Sequence, residues 1–146
     1  MKTIHTEITI KASAEKVWDT LMNHNQYPEW NPFITSIKGN AQPGKQIDVQ
    51  LQLPGKKAMN MSPKVLSNNK QVEFRWKGHL MVPGLFDGEH FFKLETIDND
   101  TTRFVHGEQF TGVLSGLIYK MVGEDTKTGF IKMNEALKNR VEAHSS

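Results

Sequence analysis

The sequence predicts an α+β protein in which a curved antiparallel sheet closes around one long C-terminal helix. Three observations lead there. Apolar and polar residues alternate with period two through much of residues 33–111, as in Ile47, Val49, Leu51 and Leu53 against Asp48, Gln50 and Gln52. Residues 124–143 switch to helical spacing, with Phe130, Met133, Leu137 and Val141 on one stripe. The 146 residues are enough for one domain with a real core and too few for two.

Each element has its own signal. Ile4, Ile8 and Ile10 alternate with Glu7 and Thr9, which reads as a first strand with one wet face. Ser13 is placed to cap a helix whose Val17, Trp18, Leu21 and Met22 form an apolar stripe. A turn with two prolines follows, YPEWNPF at 27–33. Strands are then expected at 33–39, 45–53, 57–66, 70–80, 88–97 and 102–111, separated by Gly-Asn, Pro-Gly and Asp-Asn-Asp turn signals. Pro63 inside the third of these points to an edge position or a bulge, because proline cannot donate to the ladder. With the first strand this makes seven. A twisted sheet with one apolar face buries it by curling around the last helix.

Charge and composition narrow the function. The 18 Lys and Arg against 16 Asp and Glu give a formal charge of +2, with the cations scattered, so nucleic acid is not an expected partner. Lys56-Lys57 reads as a solvated turn. No cysteine is present, which excludes disulfides, thiolate nucleophiles and Cys-ligated zinc and fits a reducing compartment. MKTIHTEITI lacks the apolar run of a secretory signal, and GVLSGLIYKMVG at 112–123 falls short of the ~20 residues that span a bilayer. The expectation is a cytoplasmic protein, mature from Met1, without stable membrane insertion; the 112–123 stretch is expected to be a short helical lead-in buried against the sheet. No GxSxG, Walker or GxGxxG motif is found.

The chemistry concentrates in FVHGEQFT at 104–111. On a strand, Phe104, His106, Glu108 and Phe110 share one face, so two aromatics bracket a histidine and a carboxylate. If Asp98-Asn99-Asp100 is a hairpin loop, Ile97 lies opposite Thr101, His90 opposite Glu108, and Phe92 opposite His106. Three ionisable groups then meet on one face. They could form a satisfied core pair, orient the polar end of a mainly apolar ligand, or move protons as general acid and base. Two His and a carboxylate could also make a facial triad, but no recognised metal-ligand spacing is present, so neither metal nor cofactor is expected. Met59, Met61, Met81, Met121 and Met133 read as core filling or as an adaptable lining. In GHLMVPGLFDG at 78–88, Leu80, Met81, Val82, Leu85 and Phe86 form an apolar loop expected to pack down over an entrance.

The order of elements, together with YPEWNPF, LFDGEH at 85–90, FVHGEQFTG at 104–112 and FIKMNEALKNRVE at 130–142, resembles the SRPBCC superfamily. This is the START and birch-pollen-allergen-like helix-grip fold, and the likeness is to its bacterial polyketide cyclase-like branch. It covers essentially the whole chain. The resemblance implies a deep pocket between the sheet and the C-terminal helix, with Trp30 and Phe33 near its mouth. Val49, Leu51, Met59, Met61, Phe74, Trp76, Phe92, Phe110, Phe130 and Met133 would wall it, and His90, His106 and Glu108 would anchor a polar end. The expected function is binding of a small, largely hydrophobic molecule, lipid-, sterol- or polyketide-like. The alternatives are a cyclase or dehydratase using the same His and Glu groups, and a co-chaperone-like regulator that docks on a protein partner.

Overall fold

The computed structural model describes residues 1–79 and 84–144. In chain order these form β1 (Lys2–Ile10), α1 (Ala14–Met22), a 3-10 turn (His24–Gln26), α2 (Tyr27–Trp30), β2 (Ile34–Gly39), β3 (Ile47–Leu51), β4 (Met59–Met61), β5 (Lys64–Asn69), β6 (Glu73–His79), β7 (Asp87–Asp98), β8 (Thr101–Thr111) and α3 (Ser115–His144). Ser13 caps α1, its hydroxyl accepting from Lys16 N at 3.3 Å. Leu80, Met81 and Val82 of the apolar loop lie outside the described residues.

Among the described residues the strands form an antiparallel five-stranded sheet, β1-β8-β7-β6-β5, and a three-stranded one, β2-β3-β4. The seven expected strands become eight segments because 57–66 breaks at Ser62-Pro63. One register nevertheless runs through the break: Val49 pairs with Met61 and Gln46 with Lys64 across the same partner strand. Pro63 contributes no N–H there, and its carbonyl accepts from Ile47 N at 3.0 Å. β4 and β5 are thus one interrupted strand that joins the two sheets at a corner, and β5 then turns to pair with β6.

The β7–β8 pairing is the expected one, His90 opposite Glu108 and Phe92 opposite His106, but it is reached differently. The loop is one residue shorter, since Asp98 itself pairs with Thr101, and Ile97 is bulged out between Thr96 and Asp98. The bulge absorbs the missing loop residue and restores the register.

The core lies between the concave sheet face and α3. Phe130, Met133, Leu137 and Val141 are all at most 2 % exposed, as is Val17 of α1, with Trp18 and Leu21 buried beside it. Each such side chain contributes roughly 1.5–3 kcal/mol by leaving water. α3 begins at Ser115, so 112–123 is not a separate element but mostly the opening turns of the same helix. Its expected burial is corrected too: Val113, Leu117 and Met121, spaced by four, face outward, whereas Ile118, Tyr119 and Val122 turn to the protein. Leu114 N donates to Leu85 O at 2.9 Å, which ties the end of the preceding loop to the helix. No helix among the described residues is long and apolar enough to cross a membrane.

Candidate functional site

Strand pairing builds the site in two rows across the concave face. One row reads Trp76, His90, Glu108 and Ile4; the next reads Phe74, Phe92, His106 and Thr6. From the opposite side α3 lowers Phe130 and Asn134, one helical turn apart, onto the second row. Phe130 stacks on His106 with ring centroids 4.0 Å apart, and Trp76 stacks on His90 at 4.6 Å, so aromatic planes fix both imidazoles.

A continuous hydrogen-bond chain links the polar members. Thr6 Oγ1 donates to the carbonyl of His106 at 2.7 Å, and Asn134 Nδ2 donates to Thr6 Oγ1 at 2.8 Å. Asn134 Oδ1 lies 2.9 Å from His106 Nδ1, the two Nε2 atoms of His106 and His90 lie 2.8 Å apart, and His90 Nδ1 is 3.1 Å from Glu108 Oε1. Elementary bonding rules give this chain one direction. A backbone carbonyl only accepts, so the Thr6 hydroxyl must donate to it and receive from the Asn134 amide nitrogen. The amide oxygen therefore faces His106, whose Nδ1 must carry a hydrogen. A neutral His106 then offers only a lone pair at Nε2, which His90 Nε2–H fills. A neutral His90 is left with a lone pair at Nδ1, and the hydrogen in its bond to Glu108 must come from the carboxyl.

Burial independently selects the same protonation state. Desolvation holds His90 down at about 3 and pushes the Glu108 carboxyl up to about 8. His106 is kept well below its ordinary value, first by desolvation and then by its neighbour His90, with the Asn134 hydrogen bond opposing. At neutral pH the cluster is uncharged: two neutral imidazoles and one carboxylic acid.

Glu108 is the open end. Its side chain is 17 % exposed against 4 % for that of His90, and Oε2 hydrogen-bonds to none of the described residues. The carboxyl rests over Gly88, where a Cβ would come within 2.3 Å of Oε2. Two residues along the strand, Phe110 stacks on Phe86 at 5.4 Å and meets the Tyr119 ring of α3 at 6.1 Å.

Comparison with known proteins fits this architecture. Residues 1–142 match the family described as polyketide cyclase / dehydrase and lipid transport. The chain belongs to this family. Its fold is shared with the Zhui aromatase/cyclase from Streptomyces sp. R1128, at a TM-score of 0.78 and 12% identity over 99% of this chain and 96% of that one. A START superfamily protein from Mycobacterium smegmatis matches at 0.71 and 18% identity, over 97% of each chain. A norcoclaurine synthase point mutant from Thalictrum flavum, solved with a transition-state analogue, matches at 0.74 and 17% identity, over 99% of this chain and 96% of that one. No curated protein matches by sequence.

In this polyketide cyclase / dehydrase and lipid transport family member the expected site residues divide into groups. His90, His106 and Glu108 do converge, but His90 and His106 are enclosed by Trp76, Phe92 and Phe130 and do not border open volume; Glu108 alone reaches the edge. Phe74 and Met133 sit fully buried in the same core. Phe33, expected at a mouth, is buried with its ring 5.3 Å from Phe130, in the space that the missing side chain of Gly129 leaves. Trp30 is half-buried and packs edge-on against Tyr27 at 5.1 Å, with no ring contact to the trio. Val49 and Met61 line a concavity of about 450 Å³ on the β2-β3-β4 sheet, near half-buried Leu51 and exposed Met59. A second concavity, of about 620 Å³, lies between α1, the 3-10 turn and the β2–β3 loop; neither includes the trio. Among the described residues no three His, Asp or Glu side chains are arranged to hold a metal. Thr6 and Asn134 escaped the sequence reading, although each interrupts an apolar stripe: Thr6 between Ile4 and Ile8, Asn134 between Phe130 and Leu137.

Proposed function

We propose that the protein binds a small, largely apolar molecule where β7 and β8 face the first half of α3, with Glu108 at the polar end and Phe86, Phe110 and Tyr119 around the apolar body. The observation that carries this reading is the half-bonded carboxyl. A half-buried acid that spends one oxygen on His90 and leaves the other without a hydrogen-bond partner among the described residues, at the edge of an aromatic cluster, is what a binding site for a mostly greasy molecule requires. Family membership supports the same reading, since the family is described by both cyclisation and lipid transport. Apolar burial would supply affinity at ~25 cal/mol per Å², with the carboxyl selecting orientation.

A titration with 2-naphthol, followed by amide NMR shifts, tests it. Shifts should cluster at Gly88, Glu108, Phe110 and Tyr119. Absence of binding, or shifts confined to the β2-β3-β4 concavity, would sink the reading. A second reading, acid-base catalysis, draws on the retained proton of Glu108 beside the ligand position. In an enzyme, Glu108→Gln would keep binding while abolishing turnover.

A further inference from the structure

We infer that the site selects ligands whose polar end is a hydrogen-bond donor, such as a hydroxyl, and rejects carboxylates, because the Thr6-Asn134-His106-His90 chain fixes Glu108 Oε2 as an acceptor. The inference rests on the binding reading above and names the ligand chemistry of that same site. Its origin is remote from the ligand. The carbonyl of His106 orients the Thr6 hydroxyl, which orients the Asn134 amide, and each later donor follows in turn to Glu108 Oε1. The carboxyl hydrogen is therefore committed to Oε1, and Oε2 keeps only lone pairs. If that hydrogen shifts onto His90, Oε2 becomes a carboxylate oxygen and still only accepts. Both states present the same polarity to the ligand.

An anionic ligand would meet lone pairs with lone pairs. The exposed Lys2, whose ammonium lies 5.8 Å from the Tyr119 ring centroid, is a cation that could offset this, and tighter binding of the carboxylate would reveal it. Asn134 and Thr6 act as positioning residues, since they touch the ligand only through the two imidazoles.

The matched series 2-naphthol, 2-methoxynaphthalene and 2-naphthoate separates the possibilities by calorimetric titration. The hydroxyl compound should bind roughly three- to tenfold more tightly than the methyl ether, the usual value of one neutral hydrogen bond, with the carboxylate weakest. Glu108→Gln should keep this preference: the Gln amide nitrogen must donate to His90 Nδ1, which leaves its oxygen facing the ligand. Glu108→Met should abolish it. Equal affinity for naphthol and ether, tighter binding of naphthoate, or loss of the preference in Glu108→Gln would overturn the inference while leaving ligand binding intact. Failure of all three compounds to bind would instead overturn the binding reading beneath it.

Discussion

Replacing Glu108 with glutamine should remove the alkaline loss of stability expected of the protein. The unfolded chain releases the Glu108 proton near 4.5, whereas the folded protein holds it to about 8. A raised carboxyl therefore costs stability progressively as pH rises through that interval. The buried histidines act in the opposite sense. Below 6.5 the unfolded chain takes up protons that the fold refuses until about 4 at His24 and about 3 at His90, with His106 also depressed, so acid destabilises. Burial is the leading cause in each case. The two trends balance close to pH 7, where stability should be greatest.

The unfolded histidines are still half protonated at pH 6.5 and lose that charge only by about 7.5, so they offset part of the Glu108 effect in this range, whereas Tyr27 and Arg75, both raised by their surroundings, titrate far above it. Comparison with Glu108→Gln isolates the carboxyl, because the histidine contribution is common to both proteins. One proton over about 1.5 pH units amounts to ~2 kcal/mol. Urea unfolding followed by tryptophan fluorescence at pH 5.5, 6.5, 7.5 and 8.5 measures it. The two proteins should share the acid limb, and between 6.5 and 8.5 the wild type should lose about that amount relative to Glu108→Gln. A wild type whose stability tracks that of the glutamine variant from 6.5 to 8.5 would refute the assignment of a neutral carboxyl.

Two further outcomes follow from the same geometry. Asn134→Leu leaves the His106 Nδ1–H and a Thr6 lone pair without partners in the core, and calorimetry should show a loss of about 2–4 kcal/mol. Gly88→Ala places a methyl group 2.3 Å from Glu108 Oε2, at the movable end of a side chain. The fold should survive within ~1 kcal/mol, yet the displaced carboxyl should lose its preference for naphthol over the ether; an unchanged preference would place the ligand elsewhere.

Much of the fold was readable because period and parity are local properties. Alternation assigned the faces of β3, β6 and β8, and the stripe from Phe130 to Val141 fixed which side of α3 is buried. The His90–Glu108 pairing emerged from counting back from a turn, and it survived only because the Ile97 bulge compensates a tighter loop. Features that depend on distant partners were not readable. Asn134 and Thr6 are 128 residues apart and meet only once α3 has settled on β1. Phe33 turns inward because Gly129 leaves it room, a fact that neither local sequence reveals alone. Leu117 and Met121 are apolar enough to suggest burial, and only the rotation of the completed helix turns them to water.

The loop through Thr6, Asn134 and the side chain and carbonyl of His106 bolts three separate elements at one level. Farther along the helix, Lys138 Nζ reaches Thr9 O at 3.0 Å and Glu142 accepts from Lys11 N at 2.9 Å, so the C-terminal half of α3 is riveted to β1 and to the residue that follows it. Prying that half away would strand several polar groups at once. On the proposed reading a guest molecule would enter at the other end of the helix, where Tyr119 and Phe110 meet through rings and the backbone ties run from Val113 and Leu114, just before the helix, to Gly84 and Leu85.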